Sequence, residues 1–448
     1  MRASPDDWQN VSVSEPSRPP PRLRWVVPVL GIAQIISWGS LYYPIAVLGA
    51  AIRRDLAISD IAVFGSFTAG LFVSGIAAPA AGKLVDTRGG RFTLSCGSAL
   101  GAVALALLAV ANSTVTLTAG FLVAGLAMAG CLYDPAFATL HAISGPSYRK
   151  AVTALTLFGG FASTVFWPLS QFLLDAHGWR TAFAVYAALN LLICLPLHLW
   201  ILPRGPGAGA HATAAPDAVV AARPAHPDVF VWLATALALA AFLSSALSAH
   251  VIGLLTSSGL TARDAVLVSS LIGPMQVAGR VAEFAFSGHL RPLAVGTLAF
   301  GLLAAGLLVL TQVHGVWIVA LAFALLYGWS NGVMTIVRGT VPGELFGHRQ
   351  FGALLGRLAQ PQFVARAIAP VALTLVFAID PDRTLSLYAL AVAGGMAFFE
   401  KGAKWRYAGS RSDHDHRRVA AGWRFEPWRT LHKKLHALFI ASPIGQKG

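Results

Sequence analysis

Residues 82–91 read Gly82-Lys83-Leu84-Val85-Asp86-Thr87-Arg88-Gly89-Gly90-Arg91, a short charged passage between two long apolar runs, 61–81 and 93–111. Crossing a hydrocarbon layer takes roughly 17–25 mostly apolar residues, and both runs meet that length. A glycine at a helix end lets another helix approach closely. An acid there can face the positive N-terminus of a neighbouring helix, and arginines beside it can pair with acids or lipid phosphates. Contacts of this kind can form in one arrangement of the helices and break in another, which would make the passage a latch. The plainer reading is a turn carrying ordinary positive charges.

The rest of the chain supports a membrane setting. Of 448 residues, 56% are hydrophobic and 12% are charged, against roughly 25% charged in a soluble domain. An ordinary cytosolic enzyme is not expected, and a disordered chain is excluded. The net charge is +14, but residues 400–448 alone hold +7 of it. Much of the remainder sits in short loops, which fits a topology signal and not a nucleic-acid face. Cys96, Cys131 and Cys194 each lie inside an apolar run without C-x-x-C spacing, so neither a disulfide framework nor a zinc site is expected.

That length gives twelve candidate spans, 25–52, 61–81, 93–111, 115–142, 151–175 and 180–202, then 229–256, 265–287, 293–311, 315–340, 352–378 and 384–399, the last with only 16 residues and short for a full span. Residues 1–24 read as a flexible lead-in. Residues 203–228, rich in Ala, Pro and Gly, read as a linker between two six-helix halves, 25–202 and 229–399, and 400–448 as a basic tail. With the N-terminus inside, 13 Lys/Arg before the tail fall on the cytoplasmic side and five on the other, so both ends are expected in the cytoplasm. The halves repeat weakly. Gly82-Lys83-Leu84-Val85-Asp86 after the second span is echoed by Gly279-Arg280-Val281-Ala282-Glu283 at the end of the eighth. Parallel six-helix repeats around a midplane site describe one large class of secondary transporter.

The chain resembles the major facilitator superfamily at this point. The family's loop signature is G-x-L-x-D-R-x-G-x-R. Residues 82–91 match it at Gly82, Asp86, Gly89 and Arg91, while Thr87 stands where the usual arginine would and Arg88 follows. The resemblance covers about 25–399 and implies an all-α fold of twelve transmembrane helices in two bundles, with the first, fourth, seventh and tenth lining the substrate path. It implies an inner latch at those four residues, with Arg280 and Glu283 as the second half's counterpart. Those last two lie three apart on one helix face and are expected to pair with each other.

Ionisable residues inside spans are functional suspects. Asp134, in Cys131-Leu132-Tyr133-Asp134-Pro135 of the fourth span, is either a proton carrier or a structural partner of Arg88 or Arg91. Pro135 would free a backbone carbonyl, giving a ligand site or a kink. Arg366, near the middle of the eleventh span, needs an acid, carbonyls, water or an anionic substrate, and Asp134 is one possible partner. Arg338 ends the tenth span and is expected at the interface, snorkelling. The presumed cavity spans offer Gln34, Trp38, Tyr42, Cys131, Tyr133, Ser245 and Asn331, among which some must only join helices.

Four stretches are similar to the superfamily's arsenite-efflux permeases: 38–44, 132–140, 155–169 and Arg338-Gly339-Thr340-Val341-Pro342. That likeness implies antiport of trivalent arsenic or antimony against protons, hence arsenical resistance, in a bacterial inner membrane. Within transport the alternatives are a monocarboxylate or organic-anion permease, with Arg366 on the carboxylate, and a broad drug exporter. Outside transport the alternative is a membrane sensor with the tail as its output. The sequence has no Walker lysine, H-E-x-x-H or G-x-S-x-G. An enzyme, a cofactor and a bound metal are therefore not expected. The expected partners are a small-molecule or metalloid substrate, protons and the lipid bilayer, with no nucleic acid and the chain as a monomer.

Overall fold

The computed structural model describes residues 23–205, 227–286, 290–347 and 350–379, with a few positions between 394 and 401. The regular structure in these residues is helical. The first apolar run forms α1 (Leu23–Leu41) and α2 (Ile45–Leu56). The unbroken helix expected over 25–52 is interrupted at 42–44, because Pro44 has no N–H for the carbonyl one turn back.

Helices α3 (Asp60–Arg88) and α4 (Gly90–Ala109) are joined by Gly89 alone. Its φ of 85° and ψ of 162° lie where only glycine goes without strain. The passage expected as a loop is therefore the last two turns of α3 plus a one-residue reversal.

The fourth run is two helices where one was expected over 115–142. Helix α5 (Thr114–Cys131) stops at Leu132 (φ −80°, ψ −160°), and α6 (Tyr133–Ser144) restarts. Pro135 cannot donate to the Cys131 carbonyl. The Gln34 side-chain amide on α1 donates to it instead, at 2.8 Å. A 3₁₀ turn, Gly145–Ser147, leads into α7 (Tyr148–Gly160). Helix α8 (Ala162–Leu189) reverses at Gly178, whose φ of 82° and ψ of 168° nearly duplicate those of Gly89. The chain then runs through a π-helical turn, Asn190–Cys194, into α9 (Leu195–Ile201).

The second half contributes α10 (Pro227–Ser257), α11 (Ala262–Phe286), α12 (Pro292–Leu310), α13 (Trp317–Phe346) and α14 (Phe351–Ile379). The expected twelfth span, 384–399, lies mostly outside the described residues, as do 1–22, 206–226 and 402–448. Among the described residues, eight helical stretches are long and apolar enough to cross a membrane. One of them, Thr114–Ile201, is itself divided at Gly145–Ser147 and Gly178. The protein is an all-α, multi-pass membrane protein.

Close packing through small residues holds the helices together, as it must where lipid tails offer no contrast in polarity. A β-carbon at Gly82 would strike the Gly352 carbonyl, and one at Gly356 the Ala78 carbonyl, so α3 and α14 touch backbone to backbone. The two halves meet along this pair and along α7 with α11, while α6 lies against α14 and α7 against α13.

Candidate functional site

The break at Leu132 turns the first residues of α6 toward the seam between the halves. Asp134 is 7% exposed and meets Arg338 of α13, whose Nη2 donates to both carboxylate oxygens at 2.9 and 3.0 Å. This overturns three expectations. Asp134 does not pair with Arg88 or Arg91, nor with Arg366. Arg338 does not snorkel; it is 5% exposed, two turns inside a helix that runs on to Phe346.

Arg280 and Glu283 do not pair with each other. Glu283 takes Arg149 of α7 at 2.8 Å, and Arg149 also donates to the Leu290 carbonyl. Arg280 reaches across the seam, donating to the Thr156 carbonyl of α7 at 3.2 Å and to Gly332 of α13 at 3.4 Å. Gly160 makes that reach possible, since a β-carbon there would overlap the guanidinium. Intrahelical spacing permits an i, i+3 pair, but partners across the seam take both residues.

Arg366 on α14 is half-buried, with its guanidinium carbon 5.8 Å from the Phe363 ring. Among the described residues its guanidinium meets no carboxylate and donates no hydrogen bond. Asp134 and Glu283 are each engaged by their own arginine, so neither Arg280 nor Arg366 has an ion pair among the described residues. An unmatched cation away from water costs several kcal/mol.

Rings from the first half gather at the break after α1. Trp38 lies edge-on to Tyr42 at 5.3 Å and against Tyr133 at 5.1 Å, and Tyr42 meets Tyr43 at 5.4 Å. Tyr43 is within electrostatic reach of Arg280 and Arg366, Tyr42 of Arg366, and Tyr133 of Arg280 and Arg338. The Tyr133 hydroxyl fills the space left by Gly159.

Other expected cavity residues lie elsewhere or serve packing. Gln34 and Cys131 are fully buried, Gln34 completing the α5 break and Cys131 packed on Gly97. Ser245 donates to the Arg366 backbone carbonyl at 2.9 Å, and Asn331 accepts from Ser244 at 2.9 Å.

At the end carrying residues 82–91, Asp86 accepts from the backbone N–H groups of Gly352 at 2.8 Å and Ala353 at 2.7 Å, the first turn of α14. Arg88 covers the Phe92 ring at 4.9 Å, and Arg91 has no ion pair among the described residues. Tyr148 donates to the Gly339 carbonyl at 2.7 Å, again across the seam. Arg149 and Tyr148 carried no site assignment from the sequence, because their partners lie on helices more than a hundred residues away.

The family model described as Major Facilitator Superfamily matches residues 30–370. An uncharacterized 38 kDa protein in a 23S RNA operon of Thermoproteus tenax is 28% identical over 366 residues, 80% of this chain and 90% of that one. The human organic anion transporter MFSD10 (TETRAN) superposes with a TM-score of 0.61 at 18% identity, covering 86% of this chain and 99% of its own. FucP in its outward conformation gives 0.66 at 16% identity, covering 85% and 99%. At such identities the structures speak for the fold alone. The family match, spanning the bundles and the seam between them, shows that the chain belongs to the Major Facilitator Superfamily of membrane transporters.

Proposed function

We propose that the protein is a proton-coupled secondary transporter of a small organic anion, with a single carboxylate held at Arg366. The observation that carries this reading is the half-buried Arg366 guanidinium, which no acid among the described residues matches, beside an Arg280 satisfied only by carbonyls. MFSD10 is an organic anion transporter by description, which is compatible with the reading. Asp134 is the proposed proton carrier, because protonation would dissolve its pair with Arg338 and release the seam. Asp86, with Gly82, Gly89 and Arg91, forms the proposed latch on the cytoplasmic side, and Arg149 with Glu283 its counterpart. The chain is taken as a monomer of a bacterial inner membrane, with both termini cytoplasmic.

Arsenite efflux, suggested by likeness of sequence, becomes the second reading. Arsenite is a mostly uncharged trihydroxide near neutral pH and gains little from an excess of arginine. Cys131 and Gln34, which could have served it, are fully buried in helix packing. The test is uptake of labelled lactate and formate into proteoliposomes under an imposed pH gradient, alongside arsenite accumulation in a sensitive host. The expected result is anion flux that falls at least tenfold in Arg366→Gln, with arsenite accumulation unchanged by the protein. Arsenite exclusion without anion flux would reverse the order of the two readings.

A further inference from the structure

We infer that the anion carried at this site is an aromatic monocarboxylate, its carboxylate on Arg366 and its ring on the wall formed by Trp38, Tyr42 and Tyr43. The inference rests on the anion reading above and adds the chemistry of the rest of the molecule. The site divides its work between the two halves. The cations come from α11, α13 and α14, whereas the rings come from α1, the break after it, and α6. The rings touch one another at 5.1 to 5.4 Å between centroids, which makes a continuous surface and not a cage around a cation. A fourth ring contact, Tyr43 edge-on to Trp167 at 6.1 Å, extends the surface to α8.

Three features select the ligand. Tyr42 and Tyr43 are half-buried, and neither hydroxyl is hydrogen-bonded among the described residues. The indole N–H of Trp38 is a buried donor without a partner. Such a wall offers ring faces and polar edges together, and an aromatic body gains about two- to tenfold in affinity from each well-placed ring contact. Asp134 lies within electrostatic reach of Arg366. Arg338 already takes up that charge, and Arg280 is tied to the Thr156 and Gly332 carbonyls, which leaves Arg366 for one carboxylate and fits a monoanion better than a dianion such as oxalate.

The experiment measures binding of benzoate, cyclohexanecarboxylate, acetate and oxalate to the full chain in nanodiscs by calorimetry. The expected order places benzoate at least tenfold tighter than acetate or oxalate, and at least threefold tighter than cyclohexanecarboxylate, which has similar size but no ring face. If acetate, oxalate or cyclohexanecarboxylate binds as tightly as benzoate, the aromatic assignment fails while the anion reading stands. If none of the four binds, the anion reading falls, and this inference with it. Tyr42→Leu, at a half-buried position, should reduce the benzoate-to-acetate preference about fivefold. An unchanged preference in a variant that elutes as wild type would overturn the assignment of the wall.

Discussion

Asp134 and Arg338 share one buried contact across the seam, and neither can be left alone there without cost. Removing one member of such a pair typically destabilises by about 3–5 kcal/mol, because the other charge stays buried and uncompensated. Asp134→Asn should therefore lower the melting temperature as well as abolish proton-driven flux. Asp134→Asn combined with Arg338→Gln should recover most of the stability but none of the coupling, leaving substrate exchange without accumulation under a pH gradient. Wild-type accumulation in that double variant would remove Asp134 from the coupling step. At this scale the sequence was only partly legible. Asp134 stood out because a carboxylate inside an apolar run has to be explained. Arg338 did not, because placing the end of its span at residue 340 put it at the interface, whereas α13 continues to Phe346 and carries it inside.

Among the elements, α5 and α6 show how a sequence signal can be correct in kind and short on consequence. Pro135 marks a weak point in an apolar run, but the size of the break is settled by Gln34, from a different span, taking over the Cys131 carbonyl. An orphaned buried carbonyl costs about 1–3 kcal/mol. Gln34→Leu should lose stability of that order, read as a lower melting temperature in detergent. Adding Pro135→Ala should restore much of it, because an alanine at that position supplies the missing N–H and the helix can close. If the double variant melts no higher than Gln34→Leu, the carbonyl is not the reason for the glutamine. Within the described residues the apolar runs coincide with long helices, since bilayer thickness fixes how many apolar residues a crossing needs. Interruptions at 42–44 and 132 escaped that ruler, because hydropathy is unchanged where a backbone bond is handed to another helix.

At the scale of the whole molecule, the polar links seen between the halves cluster toward the end that carries residues 82–91. Asp86 holds the first turn of α14, Arg149 ties Glu283 and Leu290, and Tyr148 ties Gly339. The glycine signature at 82–91 pointed to a close helix approach. Its partner, Gly352, does not follow from the signature, because nothing in a single chain's sequence says which of the other helices comes near. A transporter of this design alternates between two states a few kcal/mol apart, so each link present in only one state sets their ratio. A carboxylate accepting two backbone N–H bonds at a helix N-terminus contributes on the order of 2 kcal/mol. Losing it would change the ratio about 30-fold, taking a 99:1 mixture to roughly 77:23. Spin labels at the exposed positions Lys150 and Arg291, one in each half, should report this by pulsed electron resonance. Asp86→Ala is expected to add a longer-distance population of about a fifth, and Asp86→Asn, which keeps an acceptor but no charge, a smaller one. An unaltered distance distribution in Asp86→Ala would mean that the glycine contact between α3 and α14 closes this end without help from the carboxylate. The latch would then be steric and insensitive to charge.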